Sequence, residues 1–445
     1  MGQELTLQTD NHYMDFYNIN NKQETVSFID AVLQGAAGGN GLYFPETLTE
    51  KENSFFQYMD QYALPDLATE VLYDYVSGDF TREELHEICS TAFDFPVPLV
   101  EVDQQIYSLE LFHGPSLAFK DVGARFLAEV LKKIGEKQQE EITVLVATSG
   151  DTGSAVAKSF HRVEGIRVVL LYPSGKVSTI QEQTLTTLGG NILPLEVDGT
   201  FDDCQQLVKK AFVDRAAFKD KMLTSANSIN VGRLLPQMVY YFWAWRQLPV
   251  AQRNNVTMSV PSGNYGNLAA GIMAWKMGLP VNRFIAASNI NRVVPDYLEN
   301  GIYTPRSAVR TLSNAMDVGN PSNFIRIREM FNDSHEQIKA LIRPFVANDE
   351  QTKKAIRDLY TTGNYTLDPH GAIGYLACRD YLDDSGAAIF IETAHPAKFK
   401  DIVDEAIGKA IALPPYLKEI QKMKKQAIQM PAHYPEFKKW LQSVL

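Results

Sequence analysis

The chain has 445 residues, 45% hydrophobic and 21% charged, an ordinary globular composition with room for two or more domains. Its formal net charge of −11 excludes a general nucleic-acid binder, but not small anionic ligands held by local cations and backbone amides. No apolar run of about 18 residues predicts a membrane span. The three cysteines, Cys89, Cys204 and Cys378, are too scattered for a zinc site or a disulfide framework and fit a reducing, cytoplasmic setting.

Residues 1–13, "MGQELTLQTDNHY", are polar and lack the pattern of a signal peptide, so they are read as an extension outside the fold. Residues 14–104 hold stretches of helical spacing, such as "TVSFIDAVLQG" and "LPDLATEVLYDYV", separated by Pro- and Gly-containing turns. They predict an N-terminal, mostly helical subdomain without a catalytic motif. From about residue 105 the pattern changes. Short apolar runs, "ITVLVAT" (142–148), "RVVLLYP" (167–173), "NILPLEV" (191–197), "VTMSV" (256–260), "RFIAAS" (283–288) and "AAIFIE" (387–392), alternate with helical stretches. Buried strands alternating with helices predict α/β architecture with two doubly wound parallel-sheet domains, over 105–240 and 241–445. Ligands of such sheets sit beyond the carboxyl ends of the strands.

Several motifs fall at those ends. Ser149-Gly150-Asp151-Thr152-Gly153 and Ser262-Gly263-Asn264-Tyr265-Gly266-Asn267 each join a strand to a helix. Glycines let amides approach a ligand, and a helix start adds positive potential, so both are anion cradles or plain tight turns. Neither fits the dinucleotide or Walker A pattern. Lys120 precedes an apolar stripe formed by Val122, Phe126, Leu127, Val130, Leu131 and Ile134. A cation is unfavourable at a helix start. Lys120 is therefore either a solvated lysine or one whose amine is freed for attack on a carbonyl. In "SANSINVGR", Asn227, Ser228, Asn230 and Arg233 group donors suited to a phosphate or carboxylate, while Ser228 or Asn230 can equally cap the next helix. Thr393 follows the last apolar strand. His113, His370 and His395 have no partner at a diagnostic spacing and are read as structural.

Taken with "FHGPSLAFKDVGARF", "ATSGDTGSAVA", "SANSINVGRLLPQ", "VPSGNYGNLAAG" and "ETAHPAKF", the chain resembles the threonine synthase family, pyridoxal 5'-phosphate enzymes of the tryptophan synthase β-like (fold-type II) group, in its branch with a long N-terminal segment. The likeness spans nearly everything after Met14. It implies conversion of O-phospho-L-homoserine and water to L-threonine and phosphate, by a monomer or homodimer. It implies that Lys120 is the Schiff-base lysine. Gly263, Asn264, Tyr265, Gly266 and Asn267 would hold the cofactor phosphate, Asp151 its ring 3′-oxygen, and Thr393 its pyridine nitrogen. Thr148, Ser149 and Thr152 would lie near the substrate carboxylate, and Asn227, Ser228 and Arg233 would take the substrate phosphate. Asp151 stands where other branches usually carry asparagine, and Ser116 where many carry threonine. A related dehydratase or lyase would share Lys120 and the glycine turn. A catalytically dead homologue would have no need to keep them.

Overall fold

The computed structural model describes residues 13–445 apart from Ser149, Ser178, Asp220 and 383–385. Strands β1 (Phe16–Asn18), β2 (Asn21–Val26) and β3 (Tyr43–Pro45) pair antiparallel in the order β2-β1-β3. β2 is largely exposed, so its sequence carries little apolar signal and the small sheet is not predicted. Helices Phe28–Gln34, Leu64–Val76 and Arg82–Ala92 fill the same region of the chain, two of them in the segments predicted as helical. Local chemistry sets their starts: the Asp30 amide donates to Ser27, and Thr81 with Glu84 closes a capping box. Val32, Leu67, Leu72, Leu85 and Ile88 face the core.

The remaining strands are β4 (Leu99–Asp103), β5 (Ile106–Glu110), β6 (Ile142–Ala147), β7 (Ile166–Pro173), β8 (Ile192–Asp198), β9 (Met222–Thr224), β10 (Val256–Pro261), β11 (Arg283–Ser288), β12 (Ile342–Val346), β13 (Ala387–Glu392) and β14 (Ile428–Pro431). They build two sheets. A five-stranded parallel sheet has the order β14-β8-β7-β6-β9. A six-stranded sheet has the order β12-β11-β10-β13-β5-β4, parallel except for the β4–β5 hairpin. β6, β10 and β13 are buried along their whole length, because helices cover both faces of the sheets; hence the unbroken apolar runs in the sequence.

The sheets do not divide the chain at one point. β4 and β5 come before the five-stranded sheet yet belong to the six-stranded one, and β14 comes last yet pairs with β8. The helix Lys120–Gln138 carries the chain from β5 in one sheet to β6 in the other. Its stripe, Val122, Phe126, Leu127, Val130, Leu131 and Ile134, is buried. Among the described residues no helix is long and apolar enough to cross a membrane, and the three cysteines are buried free thiols.

Candidate active site

A cleft of about 2910 Å³ opens beyond the carboxyl ends of β6, β10 and β13. Lys120 reaches it because the chain just before the helix is stitched to the end of β13. The Phe119 amide donates to the Thr393 carbonyl at 2.8 Å, the His395 amide donates to the Leu117 carbonyl at 3.0 Å, and Ala118 bridges Ala394 antiparallel. Thr393, nearly buried, lines the cleft beside this seam. Some of the area of Lys120 faces the cleft, but the protein packed round its amine removes water. Desolvation therefore moves its pKa below the ordinary lysine value; Asp151 opposes the shift, and the cations Lys398 and Arg233 reinforce it.

The turn after β6 is organised by Thr148, whose hydroxyl accepts from the amides of Gly150 (3.1 Å) and Gly153 (2.8 Å). That hydroxyl is committed to the turn, while Thr152 lines the cleft. Ser149 lies outside the described residues. Asp151 opens the following helix, Asp151–Phe160, and is buried. It accepts from Gln181 at 3.2 Å and pairs with Lys398 at 2.8 Å. Desolvation works against its charge, but Lys398, and after it Lys120, hold the carboxyl well below the usual range.

The turn after β10 is held from all sides. Asn267 donates to the Pro261 carbonyl at 2.7 Å and accepts from Ser262 at 3.2 Å. Tyr265 takes a left-handed φ of 61° and shares a 2.7 Å hydrogen bond with Ser288. The Asn264 side chain accepts from Ser322, and the Asn264 carbonyl from the Asn323 amide at 3.1 Å. Gly263 is required by close approach: a Cβ there would lie 2.4 Å from the Ala315 carbonyl oxygen. Among the described residues, the amides of Asn264, Tyr265, Gly266 and Asn267 donate to nothing, at the start of the helix Gly266–Lys276. Free amides at a helix start are the geometry that can cradle an anion.

The third wall is the arm from Ser225 to Arg233. Asn230 caps the short helix Val231–Leu234, donating no role to Ser228 in that cap; its side chain accepts from Gly232 at 2.9 Å. Asn230 also donates to the Val32 carbonyl at 2.9 Å, which accepts from Thr224 too, at 2.8 Å. The arm thus rests on the helix Phe28–Gln34. Arg233 packs against Gly123 of the Lys120 helix, where a Cβ would meet the Arg233 carbonyl at 2.7 Å. It is buried, donates to the Ala226 carbonyl, and keeps its Nε without a partner. Desolvation lowers its pKa to about 10, against the pull of Asp121. Asn227 Oδ1 is likewise buried and unpartnered. Both residues line the cleft, as does Ser228.

The cleft therefore gathers Lys120, Thr148, Asp151, Thr152, Asn227, Ser228, Arg233, the Gly263–Asn267 turn and Thr393. Sequence reasoning missed Lys398, although it sits within the quoted "ETAHPAKF". It also missed Asp121, buried beside Lys120 and accepting from the Ser116 amide at 2.8 Å. His370 was read as structural: its Nδ1 lies 2.5 Å from buried Asp368, and its Nε2 accepts from the Ala315 amide at 3.3 Å, holding the loop that walls the glycine turn. His113 pairs with Glu110, and His395 accepts from the Ala397 amide.

Lys120, at the seam between the two sheets, lines the same cleft as the open amides of the glycine turn. A family model described as pyridoxal-phosphate dependent enzyme matches residues 94–390, most of the chain, which belongs to that family. The flanking regions match models described as threonine synthase N terminus, over residues 15–93, and threonine synthase C-terminal, over residues 371–440. The threonine synthase of Serratia marcescens is 44% identical over 428 residues, covering 96% of this chain and 99% of the relative. The crystal structure of threonine synthase from Escherichia coli superposes with a TM-score of 0.90 at 42% identity, covering 97% of this chain and 100% of the other. A pyridoxal phosphate-bound threonine synthase from Brucella melitensis gives a TM-score of 0.91 at 30% identity, covering 97% and 99%. Within the wider family the chain belongs to the threonine synthases.

Proposed function

We propose that this chain converts O-phospho-L-homoserine and water to L-threonine and phosphate, as a carbon–oxygen lyase acting on a phosphate ester. One observation carries the reading: the cleft is lined by two separate groups suited to an anion, the open amides of residues 264–267 and the buried Arg233 guanidinium beside Asn227 and Ser228, with Lys120 lining the same cleft. The chemistry needs two, one for a cofactor phosphate and one for a substrate phosphate. A dehydratase acting on an unphosphorylated amino acid needs only the first.

These residues fit pyridoxal phosphate. The amides of Asn264, Tyr265, Gly266 and Asn267 would hold its phosphate, and Thr393 would face its pyridine nitrogen. Asp151, ionised against Lys398, can only accept, so a hydrogen bond to the ring 3′-oxygen needs the proton on that oxygen. When bound, the group supplies an aldehyde that condenses with amines and an electron sink for a carbanion. Lys120 would be the amine that anchors it and the base that takes and returns the proton at the substrate α-carbon. Arg233, Asn227 and Ser228 would hold the leaving phosphate, and Thr148 and Thr152 would flank the substrate carboxylate. The Arg233 guanidinium loses little by meeting a dianion, since it is already stripped of water. We extend the reading to a cytoplasmic setting and to a monomer or homodimer.

The test is incubation of the holoenzyme with O-phospho-L-homoserine, following threonine, phosphate and 2-oxobutyrate together. Threonine and phosphate in equal amounts are expected. Keto acid as the main product would replace this reading with the dehydratase or lyase one.

A further inference from the structure

Lys398 is buried, with 4% of its side chain exposed, and it is not one of the residues assigned above to cofactor or substrate. It stands just beyond β13, in the short turn Pro396–Phe399. Its ammonium donates to Asp151 at 2.8 Å and to the Ser116 carbonyl at 3.0 Å. One cation thereby ties together the turn after β6, the loop that leads into Lys120, and the segment after β13. Asp151 belongs to the five-stranded side of the cleft and Lys398 to the six-stranded side. Among the described residues, the charges that act most on Lys120 are those of Asp151, Lys398 and Arg233, of which Asp151 and Arg233 line the same cleft. Asp121, one residue on, faces Lys398 and Arg125, and Arg233 in turn feels Asp121.

Asp151 is thus the carboxylate available to Lys120. Left to itself it would pair with the lysine and hold it as an ammonium ion, which cannot attack a carbonyl. We propose that Lys398 is a positioning residue that captures Asp151 and so keeps the Lys120 amine uncharged and nucleophilic. It does this in two ways, by occupying the carboxylate and by adding a like charge near the lysine. The inference rests on Lys120 being the cofactor lysine.

The test uses the full chain freed of cofactor, so it does not depend on turnover or on the identity of the substrate. Each variant is labelled with an amine-reactive acylating reagent across a pH series, and modification of Lys120 is read by peptide mass spectrometry. In Lys398→Met the labelling midpoint of Lys120 is expected to rise by about 1–3 pH units. Lys398→Arg, which keeps the cation, should restore the parent midpoint. Asp151→Asn should lower it, and this variant carries the test if Lys398→Met does not fold. A purely structural role would change the labelling rate at every pH and leave the midpoint in place. An unmoved midpoint in Lys398→Met, or a rise in Asp151→Asn, overturns the proposal. Failure of the product assay with normal midpoint shifts would instead strike only the choice of substrate.

Discussion

Lys120→Ala should abolish turnover and the borohydride-reducible visible band of the holoenzyme while the thermal melt stays close to that of the parent; near-normal turnover would sink the Schiff-base role. Arg233→Ala should act on the substrate rather than the cofactor. Losing a hydrogen-bonded charge contact of this kind costs about 2–5 kcal/mol, so KM for the phosphorylated substrate should rise on the order of a hundredfold with cofactor affinity little changed. Equal loss of both would move Arg233 to the cofactor phosphate. Asp121 sets a pH dependence. Burial raises its carboxyl to about 6, against the Ser116 hydrogen bonds and the nearby cations Lys398 and Arg125. A group whose pKa is raised by folding contributes stability below its unfolded value and loses it as pH rises through the folded one. The contribution, about 3 kcal/mol in size, should therefore fade between the ordinary value of 3.8 and about 6. Melting temperatures of Asp121→Asn and the parent, compared across that window, should diverge; parallel curves would remove Asp121 as the cause. That Lys120, Arg233 and Thr393 come together in one cleft could be expected, because each sits at a strand or helix boundary in a motif. Lys398 was not legible, since its partner Asp151 is 247 residues away and the two meet only in the folded chain.

At the scale of elements, the glycine turn after β10 is a backbone device, and its weakest tolerance is at Gly263. A methyl group 2.4 Å from the Ala315 carbonyl oxygen must push one loop off the other. Overpacking of this kind costs about 1–3 kcal/mol, so Gly263→Ala should weaken cofactor binding roughly tenfold or more, as read by absorbance titration. Unchanged affinity would mean that the cradle does not depend on that contact. The six buried central strands were legible from their apolar runs. β4, β5, β9, β12 and β14 were not; in β5 the polar Ser108 interrupts a run of only five residues. β9 has only three residues, β14 exposes three of its four, and β12 is half-buried, so none carries a continuous apolar signal. β4 sits at the edge of its sheet, where one side needs no cover.

Across the whole molecule, the C-terminal segment completes a sheet begun far earlier. β14 pairs with β8, and Phe437 and Leu441 of the helix Tyr434–Val444 pack with Leu195, Val197 and Cys204. Deleting residues 422–445 should leave the β8 edge and that apolar cluster bare. Limited proteolysis should then cut within residues 142–224 far faster than in the parent, and equal rates would contradict this account. The order of strands could not be read from the sequence, because long-range pairing leaves no local trace. The Val32 carbonyl has the widest reach. By accepting from both Thr224 and Asn230, it makes the first helix of the chain a foundation stone of the arm that carries Arg233. Recombination between distant relatives would then have to inherit residues 28–34 and 224–233 as one unit, since a chimera that mixes parents across that joint sets an arm on a footing cut for another.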